Sequence, residues 1–425
     1  MEKTDFSQVK ADAEKNHHPS FHSRKWFIIA FSIFLAAGII GLTMRYVFIG
    51  TVPLLNYRNL LHAHSHIALM GWGFMLVSGG IIYFFRNVLA LGKAINHILF
   101  FNTLSVIGMT ITFILQGYAF ESIAFSTLHL IIGFYFGINV LRKLKPGKSK
   151  TAQRFLKWSV IWYMLSSLGL LAIGPISAQL GPLHPMYTAS IQFFIHFQFN
   201  GWFIFGAMAI LFKFLENCGQ SHHFSKPVWI LLIASVPLTY ILSVTPSAPR
   251  DELFMLIAMG VVFQGIAFAV ILFNAIKSLK GIRFKFQWIR TLLILGIGSL
   301  IAKVAMQLTF VSPSIAVVSY SINNFVIGFI HLIMLGSITF TISSLLLQEA
   351  VFPINKMGKF GWMILALGFV TTEIILFGQG WFFWRNLGFI SGYYEVLFGA
   401  SAFLPVGIAI ILMSFKKQES AVKTI

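Results

Sequence analysis

A single cysteine, Cys218, in 425 residues excludes an internal disulfide and any cysteine-rich zinc or iron–sulfur site. Charge is scarce as well. Asp and Glu together number 12, and all charged residues make up 10% of the chain, too little polar surface to clothe a soluble globule of this length. The first 23 residues lack the basic start, short apolar core and small-residue cleavage site of a secretory signal, so they read as an uncleaved cytoplasmic tail. No stretch has the composition of a separate soluble domain.

Apolar residues fill the place of the missing charge: 57% of the chain is hydrophobic and the mean hydropathy is +0.82. Crossing ~30 Å of hydrocarbon takes ~20 helical residues. Twelve segments meet that length, at about 24–48, 58–85, 94–117, 120–142, 155–178, 185–214, 226–246, 253–276, 287–311, 321–347, 358–381 and 392–415. The sequence therefore predicts an all-α polytopic membrane protein, with a tail at 1–23, a twelve-helix membrane domain at 24–415 and a second tail at 416–425.

Lys and Arg orient it, because short loops rich in them stay in the cytoplasm. Of 31 such residues, 26 fall in the two tails and the even-numbered loops, seven of them from Arg142 to Lys157 and five from Lys277 to Arg290. The other side holds only Arg45, Arg58, Arg250 and Arg385, while Lys303 lies inside a span. Both termini are expected in the cytoplasm. The net charge of +19 then reports topology and attraction to anionic lipid headgroups; it is no signature of nucleic acid binding. The expected setting is a bacterial-type inner (plasma) membrane.

The stretch LHAHSHIALMGWGFM at 61–75 puts three histidines into an apolar run. His62 and His66 are four apart, hence on one helix face, while His64 points elsewhere. His129, His196 and His331 lie about nine to eleven residues inside the fourth, sixth and tenth spans, or ~14–17 Å deep at 1.5 Å per residue. Together they form a histidine layer. Imidazole inside a membrane is costly enough to mark function by default, and it ligates heme iron and copper. The simpler alternative is polar hydrogen bonding between helices. His64 and His129 fit either a metal-ligand role or that of a partner fixing a ligand's tautomer.

A repeat runs through the layer. His66 precedes Gly71-Trp72, His196 precedes Gly201-Trp202, and His331 precedes Gly336-Ser337, each by the same interval. Spans two, six and ten thus read as equivalent members of three four-helix units. A glycine one turn beyond each histidine admits either a flat group or a close-packed helix. Lys303 and Glu373, both mid-span, are candidates for a proton route or a buried pair. His184-Pro185-Met186-Tyr187 reads as the start of the sixth span, with Pro185 in its first turn.

Twelve spans with histidines on the second, sixth and tenth resemble subunit I of the heme–copper oxidase superfamily, which includes the nitric oxide reductases. The tenth helix of the C-type members carries H-x-H-x4-G-W, and GFIHLIMLGS is similar to it. By that resemblance His331 takes the low-spin heme position and Phe329 stands where the high-spin ligand belongs. His62, nine residues before Gly71, is similar to the low-spin ligand of the second helix, and His196 to a copper ligand of the sixth. The histidine pair that completes the copper site has no counterpart between Lys226 and Val244. The His-Ala-His opening is also similar to NnrS, a twelve-span heme and copper family linked to nitric oxide stress.

What the resemblance implies is heme b held by His331 with His62 or His66, and copper as a further cofactor near His64, His129 and His196. The partners implied are lipid and an electron donor, either a subunit or a quinol or cytochrome. The activity implied is heme-dependent membrane oxidoreduction, or a redox or nitric-oxide-related role without the usual dinuclear centre. The alternative from another class is a transporter or metal or proton permease that uses the histidine layer as its relay.

Overall fold

The computed structural model describes residues 23–144, 151–246 and 251–423. The remainder of the amino-terminal tail, the 145–150 part of the basic loop, Arg250 and the last two residues lie outside the described residues. Twelve helices are long and apolar enough to cross a membrane. In order they are Ser23–Tyr46, Tyr57–Phe84, Ala94–Gln116, Phe120–Lys143, Thr151–Leu180, Pro185–Asn217, Lys226–Val244, Glu252–Lys280, Gln287–Val311, Asn323–Gln348, Lys356–Trp384 and Tyr393–Phe415. They are numbered as spans one to twelve below. No strand occurs among the described residues, so the chain is an all-α polytopic membrane protein. The last helix continues beyond the span to Lys423, taking in most of the expected carboxy-terminal tail.

Polar residues set where several spans begin. The Asn56 side chain accepts from the backbone N–H groups of Arg58 and Asn59 to open span two, and Asn355 accepts from Gly358 N–H to open span eleven. His184 does the same for Met186 N–H, with Pro185 in the first turn of span six. Each satisfies a donor that a helix start otherwise leaves unpaired, so His184 is a helix cap.

Burial separates the spans into two sets. In spans two, six and ten, 83%, 94% and 61% of the apolar window is buried, against 28–50% in the other nine. The three histidine-bearing repeats are therefore the inner helices, and the rest surround them. Each inner span packs on its predecessor through the repeated glycine. Gly71 meets Ile33 of span one, Gly201 meets Trp162 of span five, and Gly336 meets Ser299 and Phe369. Helix packing thus occupies all three glycines, and none leaves room there for a flat group.

The three inner spans also share a backbone irregularity. Immediately after His66, two residues after His196 and immediately after His331, the α-helix passes into a π-helical stretch, at Ile67–Gly73, Gln198–Phe203 and Leu332–Phe340. Beyond these stretches the three spans pack on one another. Gly80 lies there between Ile210 of span six and Ile342 of span ten, and Trp72 Nε1 donates to Thr339 Oγ1 at 3.0 Å. No comparable packing joins their histidine-bearing first halves, 57–66, 185–197 and 323–331, among the described residues. The core is closed at one end and splayed at the other.

Gly80 tests that junction. A Cβ there sits 2.6 Å from Ile210 Cδ1 and 3.2 Å from Ile342 Cγ2. Gly80→Leu is expected to destabilise the detergent-solubilised protein by about 1–3 kcal/mol, the usual cost of overpacking. Thermal unfolding followed by circular dichroism measures it, and an unchanged midpoint speaks against a tight three-span junction.

Candidate functional site

Three of the six intramembrane histidines have both ring nitrogens engaged within the chain. His66 donates from Nδ1 to the His62 carbonyl at 2.8 Å and accepts at Nε2 from the Tyr118 hydroxyl at 3.3 Å, with its ring against Phe113. His129 donates from Nδ1 to Asn102 Oδ1 at 2.8 Å and accepts at Nε2 from Tyr163 Oη at 3.2 Å, tying spans three, four and five together. Gly133 makes that tie possible, because the Tyr163 ring occupies the place a Cβ would take. His196 donates from Nε2 to the Val236 carbonyl at 2.9 Å. Its Nδ1 is approached by Asn200 Nδ2 and Ser243 Oγ, each at 3.3 Å.

His64 and His331 differ. His64 donates from Nδ1 to the Ala37 carbonyl of span one at 2.9 Å, and its ring lies over Gly41, where a Cβ would stand 2.8 Å from Cε1. Its Nε2 makes no hydrogen bond among the described residues. His331 has Nδ1 buried without a hydrogen-bond partner, 3.9 Å from Glu373 Oε1, and neither oxygen of that carboxyl has a partner. Buried polar atoms left unpaired cost free energy, and a polar or metal-bearing guest offsets that cost. The two imidazoles, the Glu373 carboxyl and the Arg45 guanidinium come from spans one, two, ten and eleven, on the splayed side of the core.

His62 and His66 face elsewhere, against Phe113 and Tyr118 at the end of span three. Within the 62–66 stretch the ring on the other face is thus His64, the member set apart from the i, i+4 pair, and it lies on Ala37 and Gly41 of span one. The structure does not gather His64, His129 and His196 into one cluster. No group of three His, Cys, Asp or Glu side chains able to hold an ion occurs among the described residues. Lys303 and Glu373 do not pair either. Lys303 is fully buried and donates to Gln264 Oε1 at 3.2 Å, whereas Glu373 faces His331.

A cavity of about 590 Å³ lies on the other side of span ten. His196, Thr239 and Ser243 line one part of it, and Phe329 lines another. The sequence reading singled out neither Asn102 nor Tyr163, Gly41 or Gln307, each of which acts on a histidine or a cavity from a different span. A polar residue in an otherwise apolar span was the available signal for Asn102 and Gln307. No protein-family model matches the chain, and no curated protein matches it in sequence.

Proposed function

We propose that the chain is a heme-binding membrane protein built like subunit I of the heme–copper oxidases, holding one b-type heme between spans two and ten. The observation that carries this reading is the pair of uncommitted imidazoles. Among the described residues His331, His64 and His62 keep a ring nitrogen free of hydrogen bonds; His62 faces Phe113 and Tyr118, His331 has its Nδ1 unpaired beside Glu373, and His64 turns Nδ1 to the Ala37 carbonyl. That orientation fixes the tautomer and leaves Nε2 as the ligand atom. The span-two ligand is therefore His64, in place of the His62 or His66 that the resemblance implies.

The remaining residues fit the same guest. Arg45 supplies a cation for the heme carboxylates, Glu373 stands beside Nδ1 of His331, and the splayed first halves of spans two and ten lack the mutual packing that would exclude a flat ring. With two imidazoles on its iron, a heme supplies one-electron redox chemistry at a low-spin centre. The Ala37 carbonyl orients His64, and Glu373 is positioned to hold or release a proton at His331 Nδ1. A conventional dinuclear centre is not part of the proposal, because Phe329 stands at the high-spin position and both His196 nitrogens are engaged. The role proposed is redox, sensing or nitric-oxide-related, in a bacterial-type plasma membrane, with electrons supplied by a partner subunit, a quinol or a cytochrome.

An optical spectrum of the purified chain tests the reading. A Soret band with a sharp reduced α-band, one b-type heme per chain and no stoichiometric copper are expected, along with no cyanide-sensitive oxygen uptake from quinol or cytochrome c. Absence of a Soret band after expression with ample heme supply sinks the proposal. It would favour a permease, for which the cavity reaching His196 is the supporting observation.

A further inference from the structure

Tyr163 of span five has the surroundings of a phenol that can lose an electron and a proton together. Its hydroxyl donates to His129 Nε2 of span four at 3.2 Å, and His129 Nδ1 donates to Asn102 Oδ1 of span three at 2.8 Å. The second bond fixes the imidazole tautomer, so Nε2 meets the phenol as an unprotonated base. Phe74 packs on both rings, at 4.9 Å from His129 and 5.7 Å from Tyr163, and all three polar residues are buried. On its other side the Tyr163 ring lies 5.1 Å from Trp202 of span six, centroid to centroid. That indole is buried, and its Nε1 has no hydrogen-bond partner.

We infer that Tyr163 is a redox-active residue that takes one-electron oxidising equivalents from Trp202. The sequence begins when a one-electron oxidant, a radical or a photoexcited acceptor, removes an electron from the Trp202 indole. The indole radical cation has no acceptor for its Nε1 proton and stays a strong oxidant. Trp202 then regains an electron from Tyr163, whose O–H bond breaks as the proton forms an N–H bond at His129 Nε2. The products are neutral Trp202, a neutral phenoxyl at Tyr163 and an imidazolium at His129. The single positive charge has only moved, from an indole without a hydrogen-bond partner to an imidazole with one on each nitrogen. Asn102 Oδ1 still accepts from Nδ1, and Nε2 now donates back to the phenoxyl oxygen. One electron from any donor, with the proton returned from Nε2, restores the starting state. No iron ligand takes part, so the inference is independent of the heme reading.

Flash photoionisation of tryptophan supplies the oxidant, in the full chain in lipid nanodiscs, with a cobalt(III) ammine to collect the ejected electron. Transient absorption and freeze-trapped electron paramagnetic resonance follow the radicals. The tryptophan signal is expected to give way to a tyrosyl signal that narrows when ring-deuterated tyrosine is incorporated. Tyr163→Phe should abolish that tyrosyl component and prolong the tryptophan radical, and Trp202→Phe should remove most of it. Tyr118→Phe, at the other tyrosine–histidine contact, should leave it unchanged. His129→Gln separates a redox role from a merely structural tie, because an amide oxygen accepts the phenol's hydrogen bond but does not take its proton. It should lose the tyrosyl signal while the chain still folds. If the variants at 129 and 163 fail to fold, electron–nuclear double resonance on the parent chain with isotopically labelled histidine still tests the pair. A phenoxyl coupled to a histidine nitrogen through a proton that exchanges in heavy water is expected, and its persistence in Tyr118→Phe. A tyrosyl signal unchanged in Tyr163→Phe or His129→Gln, tryptophan radicals alone, or a phenoxyl without that coupling overturns the inference.

Discussion

His331→Ala is expected to remove at least half of the bound heme, and at the limit all of it, from a protein that still inserts and still elutes as a folded species. The ring is half-buried, its Nδ1 unpaired beside an equally unpaired carboxyl, so no hydrogen bond at that nitrogen is lost with it. Loss of an axial ligand is a local event, because the span stays apolar after the change and its second half remains locked to spans two and six. Heme per chain, measured as the pyridine hemochrome, and the reduced spectrum report the result. Heme content and spectrum both unchanged would remove His331 from the iron and with it the site between spans two and ten.

The second large effect separates the three histidines of span two. His64→Ala is expected to turn a six-coordinate low-spin spectrum into a five-coordinate high-spin one, with partial heme loss, while His62→Ala and His66→Ala keep the low-spin spectrum. His66→Ala costs stability instead. It takes away the acceptor for Tyr118 and a ring packed at 4.2 Å from Phe113, together about 1–2 kcal/mol. Gly41→Ala belongs with His64→Ala, since its Cβ would press on the His64 ring at 2.8 Å and force it off axis. Magnetic circular dichroism distinguishes the spin states. A low-spin signal that survives in His64→Ala and vanishes in His66→Ala assigns the ligand to the other face of the helix.

The membrane architecture was legible because it depends on length and apolarity, which are local. The twelve expected segments differ from the observed spans by only a few residues at each end. Depth was legible for the same reason, as a count of residues from a helix start. Which histidine meets which neighbour was not. The 3.6 period groups His62 with His66, but it does not say whether that face meets span three or span ten. The answer lies in residues such as Ala37, Asn102, Tyr118 and Val236, 27 to 52 positions away or, for Val236, 40. The glycines illustrate a second limit. Their common register pointed to something shared, and what they share is a close helix neighbour. The six intramembrane histidines nevertheless divide into three rings bound up in the scaffold, His66, His129 and His196, and three with a nitrogen left free, a division set by hydrogen bonds that no spacing reveals.

The π-helical stretches carry a consequence for how such a core changes. A π turn holds one residue more than an α turn, so it acts as a phase shifter between the locked half of each inner helix and the half that bears its histidine. Deleting a single residue within 67–73 would restore plain α-helix and rotate residues 57–66 by about 100° relative to the junction at Gly80. His64 would swing away from Ala37 and Gly41 of span one while the closed end stayed seated. One codon gained or lost thus re-aims an entire set of side chains without repacking the junction, and the same dial exists three times around the core.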